Sequence, residues 1–275
     1  MLVSVQATPN EEGNLERYRK FINDLIDDWD STYWNDSIDA PDGKEQSLLV
    51  KGLTVHGYEQ ARAYLAASDV VPGIAVSSLA LDVYVGCITA QWLVLVPDGW
   101  KAIAKEHAQQ RYSIAADLRK SIFPNFDILA STMEGLARYD PEQLDSPHTE
   151  QGQDFEKLCA DLVPPELYIA IRIHACKTRP TVSVLESWIS GPSTPGGPWR
   201  VPFMETGATI DDLNTLAVSL IMLSSALATL TENSEWKDDL ADRARQLNMG
   251  PNLQLSQTYH DRMKSHSRSI PDPNS

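Results

Sequence analysis

Apolar positions recur at helical spacing along most of the chain. Between Asn14 and Trp29, the residues Leu15, Tyr18, Phe21, Ile22, Leu25, Ile26 and Trp29 follow one another at intervals of one or three, the pattern of one apolar stripe on an amphipathic helix. DSIDAPDGKE then breaks the pattern with turn-forming residues, and a second helix is expected from about Gly57 to Ala67. From Gly73 to Val96 the stretch IAVSSLALDVYVGCITAQWLVLV is apolar on almost every face, which marks a helix buried all round rather than on one side. Pro97 and Gly99 end it, and WKAIAKEHAQQRYSIAADLRKSI follows as a more polar helix.

The second half continues in the same way. PEQLDSPHTEQGQD reads as an exposed loop, and SGPSTPGGPWRVPFMETG holds too much Pro and Gly to be regular. DDLNTLAVSLIMLSSALATL opens on an acid pair suited to the positive end of a helix dipole and is again apolar on nearly all faces. The end of the chain, SHSRSIPDPNS, reads as a disordered tail. There is no internal repeat and no alternation of strands with helices. The fold class expected is all-α: long helices bundled around one or two buried ones, as a single helical domain over residues 1–265 with a tail at 266–275. A length of 275 residues is near the upper limit that one hydrophobic core serves.

Charge narrows the partners. The chain has 23 basic and 38 acidic residues, a net of -15, with no basic block to offset it. Such a field repels phosphate backbones and anionic lipid, which argues against nucleic acid and membrane surfaces. An anionic small molecule would need a local remedy, either a divalent metal or a buried Arg. Cys87, Cys159 and Cys176 have neither paired nor metal-ligand spacing, so a reducing, cytoplasmic setting is expected. MLVSVQATPNEEGN lacks the basic and apolar regions of a signal peptide, and no uninterrupted apolar run reaches the roughly 18 residues of a membrane span. No phosphate-binding glycine loop or nucleophile elbow is present, and the six histidines are scattered.

Residues 163–189, VPPELYIAIRIHACKTRPTVSVLESWI, carry the most specific pattern. The Pro pair followed by Glu166 suits a helix start, while Ile169, Ile171 and Ile173 alternate as in a strand, so local periodicity admits both. Val163, Pro164, Tyr168, Arg172, Pro180 and Glu186 resemble, at matching spacing, a helix of the class I terpene synthases. The resemblance implies a class I terpene synthase-like helical bundle around a central apolar cavity. It also implies that Arg172 senses the substrate diphosphate, that Ala175 is the linker where the helix breaks, and that Cys176 presents the effector carbonyl to a developing cation. A guanidinium fork matches phosphate oxygens, and a broken helix frees carbonyl dipoles, so these roles are physically sound. The plainer reading of Arg172 is a helix cap or an ion pair with one of the many acids.

The same family ionises its substrate with Mg²⁺ held by an Asp-rich motif and by NDxxSxxxE, because a hard cation bridging a diphosphate needs oxygen ligands on rigid helices. Where the first motif would fall, this chain has Pro97, Asp98, Gly99, Trp100 and Lys101, leaving only Asp98 as an acid. ENSEWKDDLADRARQLNMGPNL resembles the second: matched backwards from Asn252 and Leu253, it puts Ser234, Asp238 and Asp242 at the Asn, Ser and Glu positions, with Glu235 beside them. Helical geometry sets those acids away from Trp236, Leu240, Ala244 and Leu247, so a solvated face explains them equally well. Asp24, Asp27 and Asp28, in NDLIDDWD, read as surface carboxylates by the same reasoning. Tyr84, Trp92, Trp100 and Trp188 are the aromatic candidates for contact with substrate or cation, against the alternative that they are core.

Two functions follow as expectations. One is a terpene cyclase or lyase that ionises a linear prenyl diphosphate, farnesyl diphosphate foremost, with Mg²⁺ and cyclises the cation in an apolar pocket. The other is a non-catalytic scaffold of the same fold, binding an apolar ligand or a protein partner. A third, metal-poor chemistry on this fold is also open.

Overall fold

Helices form the described secondary structure apart from one pair of two-residue strands and an isolated bridge between Pro72 and Gly207. The computed structural model describes residues 9–33, 44–123, 125–137, 139–178, 197, 206–231 and 234–269. In chain order the helices are α1 (Pro9–Asp28), which runs on into a π-helical turn at Trp29–Tyr33, α2 (Lys44–Ser68), α3 (Ser77–Leu95), α4 (Gly99–Arg119) and α5 (Phe126–Gly135). They continue as α6 (Thr149–Gln153), α7 (Phe155–Ala160), α8 (Leu167–Thr178), α9 (Ile210–Thr231), α10 (Ser234–Gln246) and α11 (Gln257–Ser269). Strand β1 (Leu162–Val163) pairs antiparallel with β2 (Gln254–Leu255), Leu162 opposite Leu255. The protein is all-α, as the hydrophobic spacing predicts. It divides into two compact units, Met1–Gln91 with Ile169–Asn252 and Trp92–Tyr168 with Leu253–Ser275.

In the first unit α9 is buried along most of its length apart from the Asp211, Asn214, Thr215 and Val218 side of its first turns, and α1, α2 and α10 pack against it. Leu213, Leu216, Leu220, Ile221 and Leu223 are fully buried along it, each such side chain contributing about 1.5–3 kcal/mol relative to exposure. The stripe foreseen on α1 is buried at Ile22, Leu25 and Ile26, and Trp29 stacks on Tyr58 with ring centroids 4.7 Å apart. Tyr58 Oη lies 2.7 Å from Ser224 Oγ, and Thr54 donates to the Val50 carbonyl at 2.8 Å, whereas the buried Ser219 hydroxyl of α9 has no hydrogen-bond partner among the described residues. On α10, Trp236, Leu240 and Ala244 face inward while Asp238, Asp239 and Asp242 are exposed, as the helical wheel requires. Gly73 donates to the Gly207 carbonyl at 2.8 Å, and a Cβ on Gly73 would lie 2.6 Å from that oxygen, so only glycine admits the contact.

The second unit is built on the α4–α5 hairpin, with α6 packed on α4. The segment expected as an exposed loop, 141–154, is instead partly buried: Leu144, Ser146, His148 and Gln151 are inside, and α6 forms within it. Its small residue makes this possible, because a Cβ on Gly152 would lie 2.5 Å from the Ala102 carbonyl oxygen. Asp161, 1% exposed, accepts from Trp92 Nε1 at 3.1 Å and from Arg262 at 2.6 Å. Arg262 also donates to the Pro147 carbonyl and to His148 Nδ1, each at 3.1 Å. His148 is itself buried and stacked on Tyr259.

Of the two readings open at Ile169, Ile171 and Ile173 the helix holds, since all three lie within α8. Two further expectations change. Helix α2 begins at Lys44, well before Gly57, and α11 continues to Ser269, inside the stretch expected as a tail. Helices Ser77–Leu95 and Ile210–Thr231 are each long and apolar enough to cross a membrane by length and composition, contrary to the expectation from uninterrupted runs, since scattered Ser, Thr and Gln lower mean hydropathy only slightly. Most of each is buried against protein.

Burial, and then the neighbouring Arg262 charge, push the His148 imidazole down to about 4 from its ordinary 6.5. The folded state therefore binds fewer protons than the unfolded one between those values. Stability from this site is fully present above about pH 6.5 and is lost as pH falls toward 4, by roughly 2–3 kcal/mol. Urea unfolding at a series of pH values should show that loss in the wild type and a flatter profile in His148→Gln.

Candidate functional site

Three helices of the first unit border an open groove of about 370 Å³: Tyr84 comes from α3, Ala170, Ile173 and His174 from α8, and Asp211, Asn214, Thr215 and Val218 from α9. Each helix presents these residues for a local reason. Tyr84 lies one residue from the buried Val83 and about one turn from the buried Ile88. Ala170, Ile173 and His174 are three and four apart on α8, hence on one face. Asp211, Asn214, Thr215 and Val218 share the corresponding face at the start of α9. Ile173 is 56% exposed and Ile169, one turn earlier, 54%, so α8 offers solvent an apolar ridge.

Behind the groove sits a buried carboxylate. Asp212 is 1% exposed and accepts from Tyr64 Oη at 3.0 Å and Ser77 Oγ at 2.5 Å. Thr209 caps α9, its Oγ1 accepting from the Asp212 amide at 3.2 Å, while its own amide donates to Tyr64 Oη at 3.1 Å. Burial and the Asp212 charge push the Tyr64 phenol well above its ordinary range, so it stays neutral, donating to Asp212 while accepting from the Thr209 amide. His174, 8% exposed, has Nε2 at 3.2 Å from Thr215 Oγ1 and Nδ1 at 3.8 Å from Asp212 Oδ1, the latter an electrostatic contact longer than a hydrogen bond. The Thr215 hydroxyl donates to the Asp211 carbonyl at 2.8 Å, so its proton is engaged in the helix rather than offered to the imidazole. The arrangement orients His174 toward the groove and couples α8 to α9.

A second groove in the same unit, about 580 Å³, is lined by Leu15 and Arg19 of α1, by Gly73 and Ile74, and by Thr209 and Leu213. Arg19 is bound there to Asp69 at 2.6 Å.

Of the residues singled out in the sequence, Tyr84 lines the first groove. Arg172 and Cys176 are exposed on α8 and Ala175 is half-buried, on the same helix as the groove-lining Ile173 and His174. Helix α8 continues through Ala175 and Cys176 to Thr178, so the break that the resemblance puts at Ala175 does not occur there. Trp92 is a fully buried core residue of the second unit, held by Asp161. Trp100 is half-buried against Tyr139. Trp188 lies outside the described residues. Asp98 is exposed in the left-handed region, φ 58°, and pairs with Lys101 at 3.1 Å. Asp238 is exposed, Asp242 is exposed and paired with Arg245, and the side chain of Ser234 lies outside the described residues. Asp24 pairs with Lys20 and Asp28 with Arg243, on the surface as foreseen.

These carboxylates do not fit the metal set implied by the resemblance. Two of the three are already neutralised by cations of their own helix turn, and among the described residues no three His, Cys, Asp or Glu side chains converge as metal ligands. Sequence reasoning missed His174, Asp212 and Thr215. A His inside the apolar IRIHAC and an Asp at the mouth of an apolar helix were the available signals, because a titratable group in such surroundings must be either paired or functional. Comparison with family models, curated proteins and solved structures finds no match to this chain.

Replacing Asp212 tests the network. Asp212→Ala leaves the buried Tyr64 hydroxyl without its acceptor and Ser77 with only the Gly73 carbonyl at 3.2 Å, and should cost roughly 2–4 kcal/mol in urea unfolding, whereas Asp212→Asn, which keeps one acceptor oxygen, should cost about half as much. Equal and negligible losses in both would show that the buried carboxylate does not hold α2, α3 and α9 together.

Proposed function

We propose that this chain is a binding protein that takes a small, largely apolar molecule into the groove between α3, α8 and α9. The observation that carries the reading is the exposed Ile173, which, with Ala170 and Val218, gives that groove an apolar wall beside a cluster of hydrogen-bonding groups. Its volume of about 370 Å³ falls in the range of small-molecule sites, which combine apolar walls with a few placed polar groups. A ligand with an apolar body and one polar end matches it: the body covers Ile173 and Val218, and the polar end meets His174, Thr215 and Asn214. The non-catalytic form of the scaffold is favoured because Asp98 and Asp242 are spent on Lys101 and Arg245.

A second reading, a class I terpene synthase acting on farnesyl or another prenyl diphosphate with Mg²⁺, draws support from one further observation. Arg172 adjoins Ile173 on the helix that the resemblance assigns to diphosphate recognition, and Tyr84 lines the same groove. A reducing cytoplasmic setting belongs to both readings.

Displacement of an environment-sensitive fluorescent probe by farnesol, and by farnesyl diphosphate with and without Mg²⁺, tests both. Farnesol should displace the probe, and Ile173→Glu should weaken its binding about tenfold, about 1.4 kcal/mol, with helicity unchanged. Failure of every prenyl compound to bind would remove the binding reading. Formation of a volatile hydrocarbon from geranyl, farnesyl or geranylgeranyl diphosphate with Mg²⁺ would replace it with the catalytic one.

A further inference from the structure

The α4–α5 hairpin leaves five large apolar side chains in solvent: Ile122 is 91% exposed, Ile128 72%, Phe123 60%, Leu136 54% and Leu129 41%. Their placement on α5 is not random. Ala130 is buried and Phe126, Met133 and Ala137 are half-buried on the side toward the rest of the unit, while Ile128, Leu129, Thr132 and Leu136 share the opposite side. A surface helix is ordinarily polar on its outer side, so α5 has one apolar face more than its own unit uses.

We propose that this face pairs with the same face of a second copy of the chain across a two-fold axis. Area and charge on the hairpin point to that occupant. At about 200 Å² for a fully exposed large side chain, Ile128, Leu129 and Leu136 present roughly 330 Å² on α5, and Ile122 and Phe123, at the bend before it, add about 300 Å² to the apolar surface of the hairpin, against the ~800 Å² that each partner gives to a standard interface. The chain as a whole is at -15, so two copies repel over most of their surfaces. Residues 99–136 are the exception, with five basic and four acidic side chains. Arg119 is paired with Glu134, and Lys120 with Asp117 at 2.8 Å. Here two copies meet without like-charge repulsion, and a symmetric, self-complementary contact needs only an apolar, nearly neutral patch. The same ion pairs make the patch a poor match for anionic lipid, which recruits basic side chains free of acidic partners.

Sedimentation velocity of the full chain over a wide concentration series tests the proposal. The wild type should approach twice the 30.5 kDa of one chain. Ile128→Asp and Ile122→Asp should each return it to a single-chain mass with an unchanged circular dichroism spectrum, both side chains being too exposed to disturb the fold. Val70→Asp, at a residue of the first unit that is also 72% exposed, should leave the dimer intact. A single-chain mass for the wild type throughout, or a dimer that persists in Ile128→Asp, would overturn the proposal. So would a monomer that floats with vesicles of anionic phospholipid, in favour of a lipid surface.

Discussion

A helix that is apolar on nearly all its faces has to be enclosed, and the burial of α9 is the constraint on which the first unit depends. From Leu213 to Ala228 nearly every side chain of α9 is withdrawn from solvent, and α1, α2 and α10 are the elements that cover it. The polar groups inside such a helix need partners within protein, because unpaired ones are costly in an apolar surround. Ser224 finds Tyr58, and Asp212 collects Tyr64 and Ser77. The enclosure of one apolar helix thus also fixes α2 and α3, through a single carboxylate at its first turn.

That carboxylate is what gives the groove its character. With Asp212 held behind it, His174 is oriented between an acid and the Thr215 hydroxyl, at the polar end of a cleft whose other wall is Ile173 and Val218. The second unit solves the same problem in its own way. Asp161 is buried and anchors Trp92 and Arg262, and burial, with the Arg262 charge beside it, holds His148 neutral. One cluster orients a histidine toward an open groove, whereas the other encloses its histidine entirely, and this difference of access makes the first the candidate site.

Long-period features were legible in the sequence, and those set by tertiary contact were not. The α1 stripe, the all-round burial of α9 and the split faces of α10 follow from spacing alone, because period 3.6 decides which side chains can share a side. The helix at 149–153 and the burial of His148 were invisible, because they depend on Gly152 letting α6 approach the Ala102 carbonyl, a contact between residues far apart in sequence. At the site, Tyr84 and the helix of Arg172 were found, but through a resemblance that also nominated acids now seen in ion pairs with Lys101 and Arg245. His174 and Asp212 escaped notice because each is a lone titratable residue in its own segment. Only the packing of α8 against α9 makes them a pair.

The account rests on the groove between α3, α8 and α9 being where a ligand goes. Two-dimensional NMR of the isotopically labelled chain titrated with farnesol tests this most directly. The account expects chemical-shift changes concentrated at Tyr84, Ala170, Ile173, His174, Thr215 and Val218, with the Asp161 and Arg262 cluster unmoved. Saturable changes confined to other residues, with those six unperturbed, would contradict it.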